Sequence, residues 1–193
     1  MIKNIFYKTI MLLLFIGCIF GCTTNEEAVV VNEAEFITSV TLIFTPDFGG
    51  DKVILEFKDL DGDGANAPFV TANRSFETNK TYNGEIFFRN ELANPSINIT
   101  PEIVAEALEH QMFYQTTGNL NPLTYATTKS NFDSKGKPLG LQTIFKTTSI
   151  ASGVLRVILR HGPNKSAPNV ANGDITNAGG ATDIAVDFTI TVK

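Results

Sequence analysis

Apolar residues recur at every second position over much of the chain. The clearest run is the last one, where Ile184, Val186, Phe188, Ile190 and Val192 stand against Asp183, Asp187, Thr189, Thr191 and Lys193. Leu155, Val157 and Leu159 alternate with Arg156 and Arg160, and Val53, Leu55 and Phe57 with Glu56 and Lys58. Phe36, Val40, Leu42 and Phe44 share one parity, as do Tyr82, Ile86 and Phe88. A period of two belongs to a strand with one face on a core and the other in water. Weaker strand patterns lie at 69–77, 112–117, 123–129 and 140–148. Turn clusters such as Pro46-Asp47-Phe48-Gly49-Gly50 and Ser134-Lys135-Gly136-Lys137-Pro138 separate the runs. Many short strands punctuated in this way predict a mainly β chain, an antiparallel β-sandwich of immunoglobulin-like type.

The pattern predicts one short helix, over 100–110. Thr100 suits the N-cap, Pro101 the first helical position and Glu102 the positive helix end, and Ile103, Val104, Ala107 and Leu108 form an apolar stripe. The segment 162–182, rich in Gly, Asn, Pro and Ala, has no period. A patternless stretch of this length is expected to be either functional or mobile.

The N-terminus follows a different logic. Lys3 and Lys8 precede an apolar run from Ile10 to Gly21. At about a dozen residues this run is shorter than the roughly 20 that cross a bilayer, and it reads as the core of a signal peptide. The only two cysteines, Cys18 and Cys22, each follow a glycine. Ile19-Phe20-Gly21-Cys22 resembles a bacterial lipobox, and Phe15-Ile16-Gly17-Cys18 is its rival. Cys22 is preferred because it leaves the longer apolar run and because the chain turns polar directly after it, with Thr23, Thr24, Asn25, Glu26 and Glu27. The expected organisation is a signal peptide at 1–21, lipidation at Cys22, an acidic tether at 22–35 and a single sandwich domain at 36–193. Acyl chains on Cys22 would hold the domain to the lipid bilayer without spanning it, as an outer-membrane lipoprotein of the cell envelope. Whether it faces the periplasm or the cell surface stays open.

Composition narrows the partners. The chain of 193 residues carries a net charge of −5, and removal of 1–21 would take away two lysines and no acid. A nucleic-acid partner, which requires a basic face, is disfavoured. Processing at Cys22 leaves no cysteine pair inside the domain, so stability must come from the core, or from the core and a bound ion. Fifteen Phe and no Trp point to a core built on phenylalanine.

Few residues offer chemistry. Asp59, Asp61 and Asp63, with Gly62 and Gly64, place oxygens at alternate positions around a sharp turn, as in the first half of a calcium loop. Position 12 of such a loop is Val70 rather than the bidentate Glu, so this is no EF-hand. Calcium is one reading and a plain Asp/Gly turn the other, with the turn favoured. The two histidines are His110, expected at the helix end with Glu106 one turn before it, and His161, on the core-facing parity at the rim of its strand. The expectation is that they lie apart, each satisfied locally. Should they meet, Glu106, His110 and His161 would offer a carboxylate and two imidazoles to zinc or copper. H-E-x-x-H and G-x-S-x-G are both absent from the sequence.

Four segments carry a family resemblance. They are Phe57-Lys58-Asp59-Leu60-Asp61-Gly62-Asp63-Gly64-Ala65-Asn66-Ala67-Pro68, Glu109-His110-Gln111-Met112-Phe113-Tyr114, Leu159-Arg160-His161-Gly162-Pro163-Asn164-Lys165 and Gly173-Asp174-Ile175-Thr176-Asn177-Ala178-Gly179-Gly180-Ala181-Thr182-Asp183. With them the chain resembles a family of small Bacteroidota-type lipoproteins, common in flavobacteria, for which no activity is established. The resemblance implies an envelope location more than a mechanism. The expected role is a ligand- or metal-binding or accessory module without catalysis. The alternatives are a calcium-stiffened structural or adhesive module that contacts other envelope proteins, and, third, a hydrolase.

Overall fold

The computed structural model describes residues 36–62 and 64–193. The expected signal peptide, Cys22, the tether and Asp63 lie outside the described residues. The described residues form ten strands: β1 (Ser39–Pro46), β2 (Val53–Lys58), β3 (Phe69–Ala72), β4 (Thr81–Asn90), β5 (Ile97–Asn98), β6 (His110–Thr116), β7 (Thr124–Tyr125), β8 (Gln142–Lys146), β9 (Ala151–His161) and β10 (Ala181–Val192). Among the described residues one α-helix, α1 (Thr100–Ala105), precedes β6. The larger sheet runs β3-β2-β1-β4-β8-β7, with β5 pairing to β4, and the smaller runs β10-β9-β6. The strand pairings are antiparallel.

Alternation builds the core as expected. Val40, Leu42 and Phe44 of β1, Val53 and Leu55 of β2, and Tyr82, Ile86 and Phe88 of β4 meet Leu155, Val157 and Leu159 of β9 and Val186, Phe188, Ile190 and Val192 of β10 in one buried cluster. Each fully buried side chain of this size contributes about 1.5–3 kcal/mol. Gly84 faces inward on β4, where an added Cβ would lie 2.7 Å from the ring of Phe44, so the absent side chain is what admits that ring. Phe76 links the sheets: it bridges to Val192 in parallel, its N–H donating to Thr191 O and its carbonyl accepting from Lys193 N, both at 2.9 Å. The result is a β-sandwich with one short helix.

The helix is shorter than the pattern predicts, and this corrects the placement of His110. α1 stops at Ala105, and His110 opens β6. Thr100 does not cap the helix; its hydroxyl accepts from Phe88 N at 2.8 Å instead, while Asn98 Oδ1 accepts from Thr100 N. Ile103 is the helix's buried residue, whereas Val104 and Leu108 are each 47% exposed. With so little of its stripe buried, so short a helix gains too little from packing to extend. Pairing of Gln111, Met112 and Phe113 with β9 takes the chain instead.

The segment after His161 is packed rather than structureless. Two 3-10 turns, Val170–Asn172 and Ile175–Asn177, lay it over the outer face of the smaller sheet. There Val170 and Ala178, with Ala167 and Ile175 beside them, cover Phe113 and Ile158. Lys165 drives its Nζ inward to Asp133 Oδ2 at 3.1 Å and Ala107 O at 2.5 Å. Gln111 Nε2 donates to Val170 O at 2.7 Å and to the Tyr125 hydroxyl at 3.1 Å. Burial pushes the Tyr125 phenol up to about 12, against the opposing pull of the Gln111 bond, so it stays protonated and donates to Met112 O at 2.5 Å.

Candidate metal centre

Three strand ends converge at the end of the sandwich where β1 begins. β6 starts at His110 and β9 finishes at His161, and the two residues are direct cross-strand partners. Both have the parity of Met112 and Leu159, so both side chains face the core side. Directly paired residues hold their Cβ atoms about 4.5–5.5 Å apart, near enough for two imidazoles to touch. His161 Nδ1 lies 2.9 Å from His110 Nε2, with ring centroids 4.6 Å apart at 81°. The expectation that the histidines lie apart is therefore overturned. Its physical reason is the early end of α1, which lets His110 enter the sheet beside β9.

A third group was missed. Asp183 sits in β10 between Thr182, which pairs with Arg160, and Ile184, which pairs with Leu159. The register shifts there, so Asp183 is the extra residue of a β-bulge. Strict alternation would send it to the solvent face with Asp187. A bulge re-aims its residue, and the Asp183 side chain is only 5% exposed, with Oδ2 3.6 Å from His110 Nε2. His110 Nε2 or Nδ1, His161 Nδ1 or Nε2 and an Asp183 oxygen form a group whose ligand atoms all lie within 4.8 Å of one another. An Asp inside a run otherwise alternating from Ile184 onward carries no separate mark in the sequence, which is why periodicity passed over it.

The bulge is braced from outside. Arg160 donates through Nε to Gly179 O at 3.0 Å, through Nη2 to Gly180 O at 2.8 Å and through Nη1 to Thr182 Oγ1 at 2.6 Å. Gly180 has φ +70°, and a Cβ there would strike His161 O at 2.2 Å. Only glycine fits this close approach, which brings the strand carrying Asp183 against the residue carrying the second imidazole.

Two glutamates stand behind the histidines. His110 Nδ1 faces Glu106 O at 3.3 Å and Glu106 Oε2 at 3.9 Å. A carbonyl oxygen only accepts, so it is the Nδ1–H tautomer of His110 that bonds Glu106 O and leaves the Nε2 lone pair facing inward. His161 Nε2 faces Glu109 Oε2 at 3.5 Å. Glu106, expected as a ligand, thus stands at the outer nitrogen of His110, and Asp183 takes the inner position. His110 is fully enclosed and the His161 side chain is 20% exposed. Asp183 also borders a cleft of about 230 Å³, lined further by Phe36, Phe57, Asp59, Leu60 and Ile184.

The acidic loop therefore adjoins this end of the molecule, but Asp59 Oδ1 and Asp61 Oδ2 are turned into the loop. Asp59 Oδ1 accepts from Asp61 N at 3.2 Å and Gly62 N at 2.9 Å. Asp61 Oδ2 accepts from Asn66 N at 3.1 Å and Asn66 Nδ2 at 2.8 Å, and these two bonds hold the Asp61 carboxyl below its ordinary value. Such bonds are what an Asp/Gly turn makes.

Comparison with protein-family models, with curated proteins and with solved structures finds no match. Among the described residues, no helix is long and apolar enough to cross a membrane.

Proposed function

We propose that this protein is a membrane-anchored envelope lipoprotein whose sandwich holds a ligand at the end where β6, β9 and β10 meet, and that it binds rather than catalyses. The observation that carries the reading is the convergence of His110, His161 and Asp183, three chemically capable side chains brought together from distant parts of the chain. Binding is favoured over turnover because a general base has to reach the proton it takes, and His110 has no exposed surface. The anchor is supported by the charged and apolar order of residues 3–21 ahead of Cys22.

Two measurements test this. Fractionation of a flavobacterial host should place the protein in the membrane fraction, with Cys22→Ser releasing it and Cys18→Ser leaving it there. The opposite pair of results would move the anchor to Cys18. Protein purified from that fraction, analysed by native mass spectrometry and elemental analysis, should carry a bound component that His161→Ala removes. A component retained in the variant, or none at all, would refute the site.

A further inference from the structure

We infer that the ligand of this site is a late first-row divalent metal ion, zinc or copper, bound by His110 Nε2, His161 Nδ1 and Asp183 Oδ2. The inference rests on the binding reading above and narrows it to one chemical class.

Donor type comes first. Two imidazole nitrogens and one carboxylate oxygen suit zinc and copper better than magnesium or calcium, which prefer oxygen throughout. Spacing comes second. Metal–nitrogen bonds of about 2.0–2.1 Å around a tetrahedral ion put neighbouring donors roughly 3.3 Å apart. The two distances here, 2.9 Å between the nitrogens and 3.6 Å from nitrogen to Asp183 oxygen, straddle that value. The third separation, between His161 and Asp183, is bounded at 4.8 Å, so those two side chains draw together by up to about 1.5 Å to share an ion with His110.

Orientation is the third and most specific observation. A metal-ligating histidine hands its other ring N–H to a carbonyl or carboxylate, which fixes the tautomer and raises ligand basicity. His110 has the Glu106 carbonyl oxygen 3.3 Å from its Nδ1 to receive that proton. His161 has the Glu109 carboxylate beyond its Nε2. Without an ion, one of His161 Nδ1 and His110 Nε2 donates to the other at 2.9 Å. With one, that hydrogen bond is given up, and the His161 proton resides on Nε2, facing Glu109. The chain balances protons within each imidazole and needs no other group to change state. Three protein ligands leave a coordination position open, as in zinc sites that exchange a ligand.

The full chain, purified in detergent and stripped with a chelator, provides the test. Titration calorimetry with zinc and visible absorption with cobalt(II) should give one bound ion per chain, the cobalt showing the intense ligand-field bands of a low-coordinate site. His161→Ala should weaken zinc by more than the roughly 10–100-fold expected for outer-shell changes, and Glu109→Gln should fall within that 10–100-fold range. Asp183→Asn keeps the side chain's shape and guards against misfolding of the histidine variant; it too should weaken zinc beyond that range. Zinc affinity unchanged in both His161→Ala and Asp183→Asn would overturn the assignment. So would failure of zinc, copper and cobalt to bind at all. In that second case an organic component that co-purifies and is lost in His161→Ala would still uphold the broader binding reading, while the absence of any component would sink both.

Discussion

At one end of the sandwich Phe76 meets Phe44, Tyr82 and Phe145 edge to face, with ring centroids 5.1, 5.0 and 5.0 Å away. At the other end His110 meets His161 in the same T-shaped manner at 4.6 Å. The ring geometry is shared and the chemistry is not. The aromatic end gains from the quadrupoles of its rings and from the water they exclude, about 0.5–1.5 kcal/mol per pair beyond area burial. At the histidine end each ring carries a lone pair or a proton to be satisfied, and three acids, Glu106, Glu109 and Asp183, stand within 4 Å of the ring nitrogens. One end closes the fold, whereas the other holds buried polar groups of the kind that cost stability unless they are well paired. Buried polarity retained at that cost is a reason to look there for function.

The largest effect expected belongs to the aromatic end. Phe76 is 1% exposed and touches three rings, so Phe76→Ala should cost about 3–5 kcal/mol, read as a lower urea midpoint at unchanged slope. A cost near zero would mean that this end does not close the core. Metal should separate the two ends. Zinc at a hundredfold excess over its dissociation constant should stabilise the native state by about 2.7 kcal/mol. Phe76→Ala should keep that increment in full, because distant sites add, and His161→Ala should abolish it. Loss of the increment in Phe76→Ala would show that the ends are coupled.

These two ends also differed in how far the sequence disclosed them. Phe44 and Tyr82 follow strict alternation and were placed in the core by period alone. Phe76 was expected inside a strand at 69–77, yet β3 stops at Ala72 and Phe76 bridges the two sheets instead; a link between sheets leaves no local pattern. At the other end His161 was correctly assigned to the core-facing rim by parity. His110 was not, because Thr100-Pro101-Glu102 starts a helix convincingly and nothing local marks where it stops. In β6, Gln111 and Phe113 are as buried as His110 and Met112, since the 162–180 segment covers the second face. Alternation is erased where both faces are covered. Asp183 required knowledge of a bulge, which is a property of the pairing with β9 and not of β10 by itself.

The buried pair Lys165–Asp133 allows a smaller and pH-dependent comparison. Burial pushes the Asp133 carboxyl up, but the Lys137 N–H, the Lys165 ammonium and the Lys135 N–H outweigh it and hold the carboxyl below its ordinary value. Burial pulls the Lys165 ammonium down, and Asp133 only partly opposes this. The pair's stabilisation thus enters on the carboxylate side, as is common when desolvation is not fully repaid. A carboxyl with a depressed folded pKa contributes stability that is present above its unfolded value, about 3.9, and lost as pH falls through the folded one. Asp133→Asn should therefore be less stable than the wild type near neutrality, and the gap should close in acid below the ordinary carboxyl range. A gap independent of pH would mean that shape rather than charge at Asp133 ties down the 162–180 segment.

The smallest effect expected is at the acidic loop beside the histidine end. Asp59 lies close to that end through the shared cleft, yet the hydrogen bonds of the Asp59 and Asp61 carboxylates run to Asp61 N, Gly62 N and Asn66. A calcium ion would have to compete with these donors, and Asp61 stands in water, where such competition is cheap for either side. Asp61→Asn keeps an acceptor for Asn66 and loses only the charge, so its melting temperature should fall by less than that of any variant above. Millimolar calcium should leave the wild-type melting temperature unchanged, since the turn is already satisfied by its own backbone. If calcium instead raises it, and Asp61→Asn removes the rise, the loop binds the cation with Asp63 as a further ligand, and this end of the sandwich would then hold two ions of different chemistry rather than one.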